Sequence, residues 1–256
     1  EKVIENGKQD EAIKSGLIKK TPNGTFDYFI NRITFPIYNH LNEIVSFGGQ
    51  NMGDPKFAKY INGPETSIYS KKNILFGLQL AKNGIKQQKS AIVTEGYYDV
   101  ISAHDKGHTN TVGTCGTAFT PEHAQLLKKH TSNVVFAFDG DDKIDKQGNK
   151  TPGAGKLALI RSIPVALQAN LNPYCYIIPQ VFQIIDEENI LNKVDLDDFL
   201  REEELDTLEK QDAIVWYANH SIDCSNEDLN LDGVINAIDL NYFLFPNLGK
   251  VSQIPN

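Results

Sequence analysis

The chain has 256 residues, of which 40% are hydrophobic and 23% are charged. This composition is typical of a folded protein and excludes an intrinsically disordered one. No apolar run is long enough to span a membrane and no secretory signal is present, so we expect a cytoplasmic protein with no membrane partner. Three widely spaced cysteines predict reduced thiols rather than a zinc site. The first residue is Glu1 rather than Met, which indicates a fragment or a processed piece.

The charge is unevenly distributed along the chain. The formal net charge is -8, yet residues 1–90 contain 13 of the 25 basic residues and only 8 of the 33 acidic ones. A basic lobe beside an acidic lobe suits a protein that binds a polyanion with one and metal ions with the other. Uneven solvated surface charge explains the same distribution equally well.

The first 90 residues predict a small α+β lobe. A helix-like pattern covers residues 1–20 and ends at a Thr-Pro-Asn-Gly turn. The β-rich runs 33–38 and 44–47 predict a hairpin, and Gly48-Gly49 directly after it allow a close approach of the backbone. The other predicted elements of this lobe are a short helix at 74–81 and a basic connector at 82–89.

Residues 90–185 alternate between short apolar runs and helix-like segments. Runs rich in Val, Ile and Phe predict buried strands, and their alternation with helices predicts a parallel sheet with right-handed crossovers. Thr120 and Pro121 mark a helix start, because a capping residue precedes a proline at the first helical position. The predicted strands are 91–94, 111–114, 134–138 and 174–178, and the predicted helices between them are 98–105, 121–130 and 154–168.

Acidic residues follow two of these predicted strands. Glu95 and Asp99 come after the first strand, and Asp139 and Asp141 come after the third. Because the carboxyl ends of parallel strands meet at one edge of a sheet, we expect these four carboxylates to converge. Neither motif contains a positive residue, and carboxylate oxygens are ligands that Mg²⁺ prefers. The sequence therefore predicts a divalent-metal site at this edge.

The last part of the chain is acidic and is predicted to be helical. One helix opens at Asp195-Leu196-Asp197-Asp198, and residues 207–219 predict a second, with Trp216 in the core. We therefore predict three regions: a basic α+β lobe at 1–89, an α/β domain at 90–185 and a helical subdomain at 186–256.

Several motifs resemble those of a known family. Glu95-Gly96-Tyr97-Tyr98-Asp99 and Phe138-Asp139-Gly140-Asp141 resemble the two acidic motifs of the Toprim fold. Segments 32–37 (RITFPI), 46–49 (SFGG) and 59–66 (KYINGPET) precede them in the order found in bacterial and phage DnaG-type primases. Asp195-Leu196-Asp197-Asp198-Phe199 resembles the acidic segment that follows the last Toprim strand. The similarity extends over most of the chain.

The resemblance implies a fold and an activity. The fold is α/β and α+β: a Rossmann-like parallel Toprim sheet flanked by an N-terminal α+β lobe and a C-terminal helical subdomain. The activity is DNA-directed synthesis of RNA primers by nucleotidyl transfer in DNA replication, with two or more Mg²⁺ or Mn²⁺ ions. The implied partners are a single-stranded DNA template, nucleoside triphosphates and, through regions outside this chain, a replicative helicase.

The resemblance also implies roles for particular residues. The implied catalytic residues are Glu95, Asp139 and Asp141, and Glu95 is also a candidate general base. The implied metal ligands are Glu95, Asp99, Asp139, Asp141, Asp195 and Asp197. The implied nucleotide- and template-binding residues are Arg32, Lys59, Tyr60, Asn62 and Lys71. The chain departs from the family at Gln50, where an arginine is usual, and in apparent insertions at 143–151 and 181–192.

Other functions stay open at this point. The Toprim motifs alone also fit a metal-dependent nuclease, and the same fold could belong to a metal-dependent binding protein without catalysis. Separately, residues 228–239 match an EF-hand-type calcium loop similar to those of dockerins, which predicts a calcium-dependent interaction module. A polar turn that opens a helix explains this segment as well. The residues at the calcium-ligand positions are Asp228, Asn230, Asp232, Asn236 and Asp239.

Overall fold

The computed structural model describes residues 6–140, 142–144, 150–178, 181–185, 188–192 and 194–216. These residues form a mixed α/β structure in which small antiparallel sheets precede a larger, mainly parallel sheet. Within the described ranges, no helix combines the length and the apolar character that crossing a bilayer requires.

The N-terminal lobe begins with a short helix and a two-stranded hairpin. Helix α1 spans Gln9–Lys14, and strands β1 (Ile18–Thr21) and β2 (Gly24–Asp27) pair antiparallel. The predicted helix over residues 1–20 is therefore wrong at its C-terminal end. Gly16 gives the physical reason, because its φ of 75° lies in the left-handed region that ends helices and that favours glycine.

A three-stranded antiparallel sheet forms the rest of this lobe. Its strands are β3 (Arg32–Tyr38), β4 (Ile44–Asn51) and β5 (Tyr60–Asn62), in the order β3-β4-β5. The predicted hairpin is confirmed, and β4 continues through both glycines. Phe35 lies opposite Gly48, which in turn lies opposite Asn62, so these three residues form one cross-strand row.

The segment that joins the two lobes differs from its prediction. Phe76 forms an isolated antiparallel bridge with Gly113, and helix α2 spans Leu78–Gln88. The helix predicted at 74–81 is thus displaced toward the C-terminus, and the basic connector is helical. Gly77, with a φ of 80°, precedes α2 and separates the extended segment from the helix.

From one edge to the other, the larger sheet contains strands β14 (Lys210–Asp212), β11 (Asn172–Ile177), β8 (Asn133–Phe138), β6 (Ala91–Thr94) and β7 (Thr111–Gly113). The pairing is parallel from β11 to β7. The prediction of a parallel sheet is confirmed, and each predicted element of residues 91–178 ends within two residues of its observed position. The elements in chain order are β6 (Ala91–Thr94), α3 (Tyr97–Asp105), β7 (Thr111–Gly113), α4 (Pro121–Lys128), β8 (Asn133–Phe138), β9 (Asp142–Ile144), β10 (Lys150–Pro152), α5 (Ala154–Gln168), β11 (Asn172–Ile177), β12 (Val181–Ile185), β13 (Glu188–Asn192), α6 (Leu196–Glu202) and β14 (Lys210–Asp212).

Each apparent insertion coincides with a small hairpin outside the main sheet. Strands β9 and β10 pair antiparallel, and so do β12 and β13. Both hairpins lie on the chain segments that leave the carboxyl ends of parallel strands, β8 and β11. The two insertions therefore add backbone near the edge where ligands of parallel α/β sheets bind.

The C-terminal region confirms one predicted helix and corrects the other. Helix α6 begins after Asp195, whose carboxylate accepts a hydrogen bond from the backbone N–H of Asp198 at 2.9 Å. The helix predicted at 207–219 is wrong over its first part, because residues 210–212 form β14 and pair antiparallel with the free edge of β11. Trp216 is buried in the main core, as predicted.

Helices cover both faces of the parallel sheet, which explains its two cores. Side chains alternate along β8: Phe136 joins the core with α2, α4 and α5, whereas Val135 and Ala137 join the core with α3 and α6. This alternation is the period of two expected for a strand that is buried on both faces. Helix α6 thereby packs beside α3, at the same edge as the acidic motifs.

Tyr97 joins the N-terminal lobe to the parallel sheet. Its ring stacks on Phe35, with centroids 4.9 Å apart and planes 4° apart, and both residues belong to a buried cluster shared by the two lobes. A Cβ atom on Gly48 would lie 2.3 Å from Cζ of Tyr97. The glycine is therefore required for the ring to lie flat against β4, as Gly48-Gly49 predicted.

We expect Gly48→Ala to lower the free energy of unfolding by about 1–3 kcal/mol, because the new methyl group overlaps the Tyr97 ring. Chemical denaturation measures this change. Gly53→Ala is the matched control, since its Cβ would meet only Oδ1 of Asn51, at 3.8 Å. Equal stability of the two variants would contradict the role of Gly48.

Candidate active site

Acidic residues lie at four positions along the carboxyl edge of the parallel sheet: after β6, in α3, after β8 and before α6. Glu95 directly follows β6, and Asp139 directly follows β8, as predicted from the sequence. Asp99 lies in the first turn of α3, and Asp195 precedes α6. Asp139 lies close enough to Asp99 and Asp195 for its charge to raise the pKa of both carboxyl groups. Asp141 lies outside the described residues, so its placement stays a prediction.

Asp99 is the most buried of these carboxyl groups, with 8% of its surface exposed. One oxygen accepts a hydrogen bond from the N–H of Gly96 at 2.8 Å, and the other accepts from the N–H of Asp197 at 3.3 Å. Burial, together with the negative charges of Asp195 and Asp139, raises the pKa of Asp99 to about 7, although the two N–H donors act in the opposite direction. A nearby cation would relieve both the burial cost and the repulsion.

The N-terminus of α6 contributes a compact group of three acids. Oxygens of Asp195, Asp197 and Asp198 lie within 4.8 Å of one another, which is close enough to share a metal ion. Burial raises the pKa of Asp195, with further contributions from Asp198, Asp139 and Asp197. Asp198 was missed in the sequence, although it directly follows the predicted pair. All donors here are oxygen, so the set fits Mg²⁺ or Mn²⁺ rather than zinc.

Tyr60 brings the N-terminal lobe up to these acids. Burial, together with nearby Tyr98, Asp195, Asp99 and Asp197, raises the pKa of its hydroxyl to about 12. The ring keeps 38% of its surface exposed, and Nζ of Lys59 lies 5.5 Å from the ring centroid. An aromatic ring thus stands beside the carboxylates with a positive charge near its face, and binding of nucleotide or template by Tyr60 and Lys59 stays a prediction.

Two residues that were predicted to bind a ligand, Arg32 and Asn62, make hydrogen bonds within the protein. Nη1 of Arg32 donates to the carbonyl of Ala58 at 3.0 Å and to that of Gly49 at 3.2 Å, and so holds the chain before β5 against β4. Asn62 donates to the carbonyl of Cys115 at 2.8 Å and accepts from the hydroxyl of Tyr97. Both side chains therefore have a framework role, and their contact with a ligand stays a prediction.

The backbone of Lys71 is fixed by contacts of both its N–H and its carbonyl group. Its N–H donates to Oε1 of Glu65 at 3.0 Å, and its carbonyl lies 2.9 Å from Nε2 of His123. His123 is fully buried at the start of α4, and burial lowers the pKa of its ring. His123 thus fixes the backbone from which the Lys71 side chain extends.

The calcium-type loop at 228–239 lies outside the described residues. Calcium binding by Asp228, Asn230, Asp232, Asn236 and Asp239 therefore stays a prediction from the sequence.

Comparisons with known families and proteins agree with the motifs. Residues 2–82 match the N-terminal domain of the DNA primase catalytic core, and residues 89–174 match the Toprim domain. A DNA primase from Helicobacter pylori is 44% identical over 135 residues, which are 52% of this chain and 24% of that protein. A DNA primase from Clostridium acetobutylicum is 37% identical over 163 residues, 63% of this chain and 25% of that protein. The matched regions thus span about a quarter of these relatives.

Solved primase structures share the fold. The zinc-binding and RNA polymerase domains of the Aquifex aeolicus primase superpose with a TM-score of 0.69 at 25% identity, over 99% of this chain and 60% of that one. A DnaG catalytic domain solved with single-stranded DNA has a TM-score of 0.70 at 24% identity, over 97% of this chain and 73% of that one. A Toprim domain implies use of a divalent metal. The chain therefore belongs to the DnaG-type primase family, of whose catalytic core it carries the N-terminal domain and the Toprim domain.

Proposed function

We propose that this chain synthesises RNA primers on a single-stranded DNA template as the catalytic core of a replicative primase. The observation that carries the proposal is the position of Tyr60 beside Asp99, Asp195 and Asp197, with Nζ of Lys59 5.5 Å from the centroid of the Tyr60 ring. The related DnaG domain solved with single-stranded DNA supports the choice of template. A nuclease would need the acids but not an aromatic and basic lobe of this kind.

Two or more Mg²⁺ or Mn²⁺ ions are the cofactors that the carboxylates would hold. Glu95, Asp139 and Asp195 are the proposed ligands among the described residues, with Asp99, Asp197 and Asp198 around them and Asp141 added from the sequence. When bound, the ions neutralise charge on the attacking hydroxyl, the α-phosphate and the pyrophosphate. Crowding of the acids is the physical reason for metal binding here, because each carboxylate raises the cost of ionising the next.

The N-terminal lobe would position the nucleotide and the template. Tyr60 offers a ring on which a base can stack, and Lys59 and Lys71 offer point charges for phosphates. Arg32 and Asn62 keep this surface in register with the acids through their bonds to Ala58 and Cys115. The replicative helicase stays an expected partner that the family resemblance implies.

We expect Asp139→Ala and Glu95→Ala each to lower primer synthesis by about 100-fold or more, because each removes charge that stabilises the transition state. Incorporation of labelled nucleotide on single-stranded DNA measures the loss. Asp105→Asn is the control, since Asp105 is an exposed acid at the opposite end of α3. Metal-dependent cleavage of DNA by the wild type, without nucleotide incorporation, would instead favour a nuclease.

We expect Mg²⁺ to stabilise the protein more at pH 8 than at pH 5. The pKa of Asp99 is about 7 in the folded state and about 4 in the unfolded state. The folded state therefore binds the proton more tightly, and this stabilises the metal-free fold fully below pH 4. The stabilisation is lost as the pH rises through 7. A bound cation compensates for the loss. Thermal denaturation in Mg²⁺ and in EDTA measures the difference, and Asp99→Asn should reduce its pH dependence. A gain that is equal at both pH values would contradict this account.

We expect Lys59→Gln to weaken binding of single-stranded DNA and to lower the salt dependence of the affinity by about 0.7 in the log–log slope, the value for one lost phosphate contact. Fluorescence anisotropy at several salt concentrations measures both quantities. Lys86→Gln, at an exposed position of α2, is the control and should leave the slope unchanged. An unaltered slope in Lys59→Gln would remove this lysine from the binding surface.

A further inference from the structure

Helices α3 and α6 pack against each other near their N-termini, and polar side chains lie at the contact. Ser102 follows Asp99 by three positions on α3, so both side chains lie on the same helix face. Opposite them, Asp197 lies in the first turn of α6 and has only 8% of its surface exposed. Asp197 of α6 is thus in direct contact with the Ser102 hydroxyl of α3.

Asp197 is held at three of its atoms. Its Oδ1 accepts a hydrogen bond from the hydroxyl of Ser102, and its Oδ2 accepts from Nη2 of Arg201 at 2.5 Å. Its backbone N–H donates to Oδ1 of Asp99 at 3.3 Å. Two of these three bonds cross from α6 to α3, and together they link the acids of the two helices.

The bond from Ser102 is the better protected of the two that reach the carboxylate. The Arg201 side chain is 66% exposed and belongs to α6 itself, so water and salt weaken its pairing and it cannot fix α6 relative to α3. Ser102 lies on the other helix and is half-buried. Its hydroxyl therefore determines where the Asp197 carboxylate lies relative to Asp99.

We propose that Ser102 is a positioning residue for the metal site, acting through Asp197. The inference rests on the proposed metal binding and deepens it. Ser102 keeps the group of Asp195, Asp197 and Asp198 against the acids of β6 and β8, so that one set of ligands forms from two helices and two strand ends. Residues that orient metal ligands typically contribute about 10- to 100-fold to metal affinity.

Manganese binding to the full chain tests this role. Titration of free Mn²⁺ by electron paramagnetic resonance gives the affinity, and thermal denaturation in EDTA gives the metal-free stability. We expect Ser102→Ala to weaken Mn²⁺ binding by about tenfold, because the carboxylate loses its donor from α3. Ser102→Thr keeps the hydroxyl and should restore the affinity to within about threefold of wild type.

Ser162→Ala is the matched control. Ser162 is also buried and helical, but its hydroxyl donates to the carbonyl of Ala158 within α5, away from the acids. This variant should lose stability without losing Mn²⁺ affinity. If Ser102→Ala bound Mn²⁺ with wild-type affinity, the positioning role would be wrong but the metal site would stand. The same would follow if Ser102→Ala lost affinity and Ser102→Thr lost it equally. Absence of Mn²⁺ binding by the wild type would overturn the proposed metal site together with this inference.

Discussion

The packing of Tyr97 is the interaction on which the rest of the structure depends. This residue lies between Glu95 and Asp99 in the sequence, and its ring stacks on Phe35 of the N-terminal lobe. Its hydroxyl donates to Asn62, whose amide reaches the loop that follows β7. A single turn of α3 therefore presents an acid on one side and fastens the basic lobe on the other. The distance between the acids and Tyr60 is set by this contact, because both surfaces are attached to the same short segment.

The acidic edge is a strained arrangement that the surrounding fold stabilises. Burial and repulsion raise the pKa of Asp99 to about 7, which shows that its ionised form is unfavourable without a cation. The fold compensates with backbone donors at helix starts, since Gly96 bonds Asp99 and Asp198 bonds Asp195. Apolar packing of α6 on α3 through Leu196 and Leu200 keeps these donors in place. The core on this face of the sheet thus stabilises a group of charges that would otherwise separate.

The sequence predicted the parallel sheet well and the outer elements poorly, for physical reasons that particular residues illustrate. Short apolar runs and the Thr120-Pro121 start depend on local chemistry, so β6, β8 and α4 were found within two residues. The helix predicted at 207–219 was wrong over its first part because the free edge of β11 offers hydrogen bonds that local propensity does not reveal. The acids after β6 and β8 were predictable from strand ends alone.

Ser102 was not predictable from the sequence, because its partner Asp197 is 95 positions away and only the packing of α6 on α3 brings the two residues together. Arg201, four positions after Asp197, had a helical spacing that could have indicated the pair.

The family motif combines two kinds of residue that sequence comparison treats alike. Tyr60 lies beside the acids and Nζ of Lys59 lies over its ring, whereas Arg32 and Asn62 donate hydrogen bonds to the backbone carbonyls of Ala58 and Cys115. A ligand-binding residue and a framework residue can both be required for activity, but substituting them has different effects on the structure. Loss of Lys59 removes a charge from an intact surface, while loss of Asn62 frees the hydroxyl of Tyr97 and loosens the contact between the lobes. A motif of this kind therefore specifies a geometry as much as a chemistry, because its framework members maintain the distance between the two surfaces.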